Sequence, residues 1–373
     1  MTNRDRLLTV IGGGEPDYVP WSFRIDLWYR ACRGQGRLPG KYQDFTQREI
    51  ERDLGMAICP RVRIFDERLI DTEIRTSTEG KCTLTEYITP AGKVSVKHCL
   101  TEELEKIGIE EPLQIEYMIK TAPDYSVAEY IINHTEYLPR YQIYRAAQEE
   151  IEDEGIPVVQ LPDCPIHEIM RNYIGYEKFF YELNDHPERI EHLIRILTQK
   201  MEEMLEIVIK SPGLVFIHGQ HFDSQMTPPP LFERYFLPYY RKVSSLFKKH
   251  GKWLSFHLDA NSRLLLPYIL KTGMRLADCF TTEPMVDCTL SEARKIWDDR
   301  VVIWGGIPSI ILCPDLCSEG EFQHYLVELF RVIAPGKAFI FGVADNVVPE
   351  ASFDRLLQVI ELIDRRGKYP IRA

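Results

Sequence analysis

The sequence predicts an α/β protein built as a (β/α)8 TIM barrel that carries an inserted antiparallel β-ribbon. Short β-branched or aromatic runs alternate with longer segments of helical periodicity, which is the pattern of a parallel sheet. A length of 373 residues suits one large barrel with insertions. Residues 70–100 break the alternation with period-two stretches separated by turn glycines. A doubly wound sheet is disfavoured, because no GxGxxG or P-loop follows any run and Gly12-Gly13-Gly14 precedes the first.

Taken in order, the strand-like runs are Val19–Ile25, Met56–Val62, Pro157–Leu161, Leu214–His218, Trp253–Leu258, Arg275–Phe280, Val301–Trp304 and Ala338–Gly342. Pro20 and Pro60 weaken the first two as central strands, since proline cannot donate to a ladder. Between the later runs, Pro187 opens a helix whose apolar residues from Ile190 to Val208 follow the i, i+3, i+4 rule. Leu231–Lys249, Ser262–Lys271, Leu290–Trp297, Glu319–Ile333 and Ser352–Arg366 read the same way, with Gly251, Gly273 and Gly367 as stop signals. The ribbon is read as an insertion over residues 66–110, followed by helices near Ser126–Tyr137 and Tyr141–Glu154. No repeat or low-complexity linker divides the chain, so residues 1–373 are read as one domain.

Composition limits the function classes. Hydrophobic residues at 45% and charged residues at 27% give ordinary globular usage and exclude disorder. No apolar run reaches the roughly 18 residues of a spanning helix, and Leu264-Leu265-Leu266 is cut short by Pro267. Met1–Gly14 shows no export signal, and a cytoplasmic location is expected. The 45 basic and 56 acidic residues give −11, with the basic ones scattered, which argues against nucleic acid as a partner. Nine cysteines form no CxxC pair, and their odd number suggests reduced thiols, most of them core residues.

In a barrel the chemistry lies at the C-terminal ends of the strands. The first run ends in Arg24 and Asp26, and the third in Asp163, with His167 and Glu168 following. The fourth ends in His218, Gln220, His221 and Asp223, the fifth in His257, Asp259 and Asn261, the sixth in Glu283 and the last in Asp345 and Asn346. Carboxylates crowded around one cavity need a compensating proton, cation or cationic ligand. His257 and Asp259 lie two apart on a strand, a spacing that turns both to one side and suits zinc, with Glu283 as a third metal ligand. The alternative is that Asp259, or Asn261, caps the helix beginning near Ser262. Thr227 or a neighbour is expected to cap the next helix, and Pro238 to kink it.

Several motifs carry a resemblance. These are Thr2-x-Arg4-x-Arg6 with Gly14, Asp17, Val19 and Pro20; the run from Gln225 through three prolines to Tyr239-Tyr240; Val302–Pro308; and Phe339–Pro349. On them the chain resembles, nearly end to end, the uroporphyrinogen decarboxylase superfamily, which includes tetrapyrrole decarboxylases and corrinoid-dependent barrel methyltransferases. The resemblance implies an enzyme with a small-molecule substrate. The decarboxylases bind substrate carboxylates through an arginine-rich loop that Arg33-Gly-Gln-Gly-Arg37-Leu-Pro39 matches in part, while their Gly-His-Gly is replaced by Ala344-Asp345-Asn346. The added carboxylate opposes an eight-carboxylate substrate. The zinc methyltransferases use His-x-Cys and a later cysteine, where this chain has His257-x-Asp259 and no cysteine at 343–345. That substitution implies a harder nitrogen-and-oxygen site.

The expected function is therefore transfer of a methyl group from a small methoxylated or methylamine donor to a corrinoid on a partner protein, with zinc or an acid assisting. Asp163, His218, Asp223 and Asp345 are the expected catalytic residues, and Arg24, Arg33, Arg37, His167, Gln220, His221 and Asn346 the substrate-binding ones. Decarboxylation of a tetrapyrrole is the first alternative, with Arg24, Arg33 and Arg37 as carboxylate clamps. A ligand-binding barrel without catalysis is the second.

Overall fold

A computed structural model describes residues 1–106, 109 and 111–372. The chain divides into two compact units, one of 1–62, 144–161 and 213–373, the other of 63–143 and 162–212. The first holds a seven-stranded parallel sheet in the order Arg61–Val62, Val158–Gln160, Val215–Gln220, Trp253–His257, Leu276–Phe280, Val302–Ile307, Phe339–Val343. Every neighbouring pair is parallel, and helices follow the strands, which gives a half-barrel of TIM-like type.

The first predicted strand does not form as a ladder. Residues 19–25 make one bridge, Trp21 to Phe341, with Ser22 N–H donating to Phe341 O and Phe341 N–H to Pro20 O. Pro20 has no N–H to extend the pairing. The second shrinks from Met56–Val62 to Arg61–Val62 plus a bridge at Ile58, next to Pro60.

Inward-facing strand residues follow the two-residue period. Val158, Val215, Ile217, Leu276, Val302, Trp304 and Ile340 pack in one buried cluster with Ala57, Ile156 and Ala338. Leu7, Val10 and Ile11 of the helix Asn3–Ile11 belong to the same cluster. Burying side chains of this size stabilises by about 1.5–3 kcal/mol each, so this cluster is the platform on which the polar strand ends stand.

The later helices form close to their predicted bounds: Leu290–Trp297, Glu319–Ile333, and Phe353–Arg366 capped by the Ser352 side chain. The predicted helix Ser262–Lys271 begins as a 3-10 turn at Arg263–Leu265 and continues to Thr272, ending in Gly273 at φ +79. Thr227 is not a cap. Pro228 occupies that position with no side-chain cap, and Thr227 Oγ1 is buried without a hydrogen-bond partner among the described residues. Ahead of Pro238 the helix loosens into a π-turn at Phe232–Phe236, since proline removes the N–H that a tighter turn would use.

The second unit carries a four-stranded antiparallel sheet of Glu73–Glu79, Cys82–Thr89, Gly92–Cys99 and Leu113–Glu116, as the period-two pattern required. Positions 107, 108 and 110 of the predicted ribbon lie outside the described residues. The predicted helix Ser126–Tyr137 stops at Asn133. Thr135–Pro139 instead pairs antiparallel with Phe65–Leu69, a long-range partner that local periodicity cannot register. The expectation of reduced thiols is also corrected: Cys82 and Cys99 face each other across two strands and form a disulfide, leaving the other seven cysteines outside any disulfide. Among the described residues no helix is long and apolar enough to cross a membrane.

Candidate functional site

The site stands one layer beyond the apolar cluster of the first unit. Ser255 and His257 alternate inward along Trp253–His257, and Asp278 lies two residues beyond Leu276 on the neighbouring strand, in register with His257. Two irregularities then reshape the strand ends. Ala277 faces Ile303 and Phe280 faces Gly305, so the strand Leu276–Phe280 holds one extra residue, with Cys279 at φ +54. A second irregularity sets Ser255 opposite Ile217 and His257 opposite Gln220, through Gly219 at φ +128. A Cβ on Gly219 would lie 2.5 Å from the Tyr240 hydroxyl, so only glycine fits. His221 at φ +51 and Asp345 at φ +56 also hold left-handed backbone, and such strain collects where a structure fixes functional groups.

His257 is the hub. Its Nδ1 lies 2.8 Å from Asp278 Oδ2, and its Nε2 lies 3.5 Å from both Asp259 Oδ2 and Asp345 Oδ1. Each carboxylate has a nitrogen partner behind it: the His221 imidazole Nδ1 at 2.8 Å from Asp259, the Arg24 guanidinium Nη1 at 2.7 Å from Asp345, and the Arg61 guanidinium Nη2 at 2.5 Å from Asp278. Asn261, not Asp259, accepts from the Arg263 N–H at the following turn, at 3.3 Å. That leaves Asp259 to the site.

The electrostatics follow from this enclosure. Burial alone would lower the His257 pKa, but the Cys279 sulfur and the carboxylates of Asp259, Asp278 and Asp345 outweigh it and raise the value well above 6.5. Burial likewise opposes ionisation of Asp278, yet Arg61 and His257 hold it down to about 2. Asp259 is held well below the carboxylate range against its burial by His221 and His257, and Asp345 is lowered by His257 and Arg24. All three are anions facing one imidazole.

The donor atoms of His257, Asp259 and Asp345 lie within 4.8 Å of one another, as do those of His257, Asp278 and Cys279. The first set fits a divalent cation. It offers one nitrogen and two carboxylate oxygens, and the other imidazole nitrogen is held by a carboxylate, the usual support of a metal-ligating histidine.

Of the other residues picked from the sequence, Asn346 is buried with Nδ2 3.4 Å from Asp345 Oδ1. His218 is buried with Nε2 2.8 Å from the Tyr239 hydroxyl. Asp223 accepts from the Gln225 and Met226 N–H groups and so stabilises its own loop. Arg33 is exposed and bonds Tyr29, and Arg37 is exposed and bonds Gln35. Glu283 is exposed and belongs to neither donor set. Asp163 and His167 lie in the second unit, where Asp163 pairs with Arg171 and His167 Nε2 lies 3.0 Å from the Tyr176 hydroxyl. Sequence reasoning missed Arg61, Asp278 and Cys279. A carboxylate two residues after Leu276 inside an otherwise apolar strand was the available signal for Asp278.

A family model described as Uroporphyrinogen decarboxylase (URO-D) matches residues 133–366. Among solved structures, a methyltransferase from Methanosarcina mazei is similar with a TM-score of 0.59 and 13% identity, over 98% of this chain and 99% of that one. At that identity the likeness is one of fold. No curated protein matches the sequence.

Proposed function

Because the chain belongs to the uroporphyrinogen decarboxylase family, whose members are enzymes, we propose that it is a methyltransferase of that family. Its substrate on this reading is a small methoxylated or methylamine-type donor, and its acceptor a corrinoid carried by a separate protein. The observation that carries the reading is the contact from Asp278 to His257 Nδ1, which presents Nε2 to Asp259 and Asp345 as a nitrogen-and-oxygen cation site, the Nε2 proton leaving as an ion binds. The solved methyltransferase of like fold supports the same choice. We also read residues 19–25 as the eighth stave of the barrel, supported by the bonds that tie Pro20 and Ser22 to Phe341 and Trp21 O to the Ala57 N–H.

A zinc-class ion held by His257 Nε2, Asp259 and Asp345 would supply a Lewis acid for the heteroatom that bears the methyl group. The chain's own residues prepare that position. Asp278 fixes the ring of His257, His221 orients Asp259, and Arg24 orients Asp345. The buried Asn346 amide sits beside Asp345, its Nδ2 3.4 Å from Asp345 Oδ1 and its Oδ1 without a hydrogen-bond partner among the described residues. Decarboxylation of a many-carboxylate substrate is less well served. The inward guanidiniums of Arg24 and Arg61 are already neutralised by Asp345 and Asp278, and Arg33 and Arg37 are exposed.

The test is formation of methylcobalamin from cob(I)alamin by zinc-loaded protein, across a panel of methoxylated aromatics and methylamines. Activity with one donor class, lost in His257→Ala, is expected. Failure with every donor, together with conversion of uroporphyrinogen to coproporphyrinogen, would transfer the assignment to the decarboxylases.

A further inference from the structure

The two nitrogens of His257 face two different donor sets, and only one of them is open to an ion. On chemistry alone the inner set, His257 Nδ1 with Asp278 and Cys279, suits zinc better than the outer one, because it adds a sulfur to nitrogen and oxygen. That inner set is filled. Arg61 Nη2 lies 2.5 Å from Asp278 Oδ2, 3.4 Å from Cys279 Sγ and 3.4 Å from His257 Nδ1, so a single guanidinium nitrogen touches all three donor atoms. Arg24 Nη1, anchored on Asp345, adds a second cation 3.9 Å from the same sulfur.

The arrangement is built, not incidental. The extra residue in Leu276–Phe280 is what brings Asp278 and Cys279, adjacent in sequence, against the same guanidinium nitrogen. Arg61 opens the short strand Arg61–Val62, its side chain largely buried. A guanidinium keeps its charge at any working pH and cannot be displaced by deprotonation, unlike lysine.

We propose that Arg61 is a resident cation that closes the inner set and thereby decides the class of ion the site accepts: a hard divalent ion on His257 Nε2, Asp259 and Asp345, with the Cys279 sulfur kept out of coordination. This rests on the outer site proposed above. Taking the guanidinium away leaves Asp278, Cys279 and His257 Nδ1 without it, and a divalent ion can then bind there, the Cys279 thiol proton passing to solvent as the metal–sulfur bond forms.

Cobalt(II) reads the difference directly, because a thiolate ligand adds a near-ultraviolet charge-transfer band to the visible bands that any ligand set gives. Under anaerobic titration the full-length protein should show visible bands without the thiolate band. Arg61→Ala should gain it, Arg61→Ala with Cys279→Ser should lose it again, and Arg61→Lys, which keeps a cation in place, should stay without it. A thiolate band in the unsubstituted protein that Cys279→Ser removes would overturn the proposal, as would a folded Arg61→Ala that binds cobalt with no such band. Should Arg61→Ala not fold, Cys279→Ser alone decides: cobalt affinity within about twofold of the parent supports the proposal, and a loss of about tenfold or more, the scale on which metal-site contacts act, overturns it. An unsubstituted protein that binds no cobalt defeats the outer-site reading, while the band in Arg61→Ala still judges Arg61.

Discussion

His257 Nδ1 lies 2.8 Å from Asp278 Oδ2, on adjacent strands whose register sets the two residues side by side. This contact fixes which imidazole nitrogen is presented to Asp259 and Asp345. Asp278→Asn keeps the size of the side chain but removes the charge that holds the ring. Zinc affinity, measured by competition with a chromogenic chelator, should fall about 10- to 100-fold, the scale expected for the partner of a metal-ligating histidine. An unchanged affinity would mean that the ring needs no such support.

Asp345, and not Glu283, completes the outer donor set, because Asp345 Oδ1 lies 3.5 Å from His257 Nε2 whereas Glu283 is exposed outside it. Asp345→Ala should weaken zinc binding by about 100-fold or more, and Glu283→Ala by less than about twofold, since only the former removes a ligand. Equal losses in the two variants would require a different coordination set.

Much of the fold was legible because the strand-forming runs are local. Five consecutive apolar runs from Pro157–Leu161 to Val301–Trp304, and the last at Ala338–Gly342, became neighbouring strands in the order in which they occur. The nearness of His257 and Asp259 was also legible, although not by the expected route: the strand Trp253–His257 ends before Asp259, which reaches His257 Nε2 at 3.5 Å from the segment that follows. What could not be read depends on a partner strand. The extra residue at 277–280 exists only relative to Val302–Ile307, and without it nothing places Cys279 beside Arg61. The Cys82–Cys99 bond and the strand Thr135–Pro139 were hidden for the same reason, since register between distant segments leaves no local trace.

Gly305 tests the irregularity itself. A Cβ there would lie 2.6 Å from Phe280 O and 2.7 Å from Phe280 N, both backbone atoms that cannot swing aside. Gly305→Ala should therefore force the strand Leu276–Phe280 to shift, with a loss of about 1–3 kcal/mol in urea unfolding typical of an overpacked interior. Metal binding should weaken with it, because Asp278 and Cys279 ride on that strand. Retained stability and retained zinc affinity together would show that the strand tolerates a wider separation.

Glu168 predicts how the stability of the second unit responds to pH. Burial first, and the neighbouring Asp163 carboxylate second, push its pKa from 4.5 up to about 7, while Asn172, the Asp163 N–H and Arg171 pull the other way and do not prevail. Tyr173 and Tyr137 also face it. Between about pH 4.5 and 7 the folded chain holds a proton that the unfolded chain has released, so the folded state binds more protons and loses stability as pH rises. The contribution is fully present below pH 4.5 and is spent by about pH 7, with a slope that cannot exceed about 1.4 kcal/mol per pH unit for one proton. Glutamine keeps the shape of Glu168 without titrating. Urea unfolding from pH 4.5 to 8 should thus show the parent falling relative to Glu168→Gln through this window and running parallel above it, the groups remote from Glu168 cancelling in the difference. Parallel curves throughout would mean that Glu168 ionises in the folded chain as it does in water.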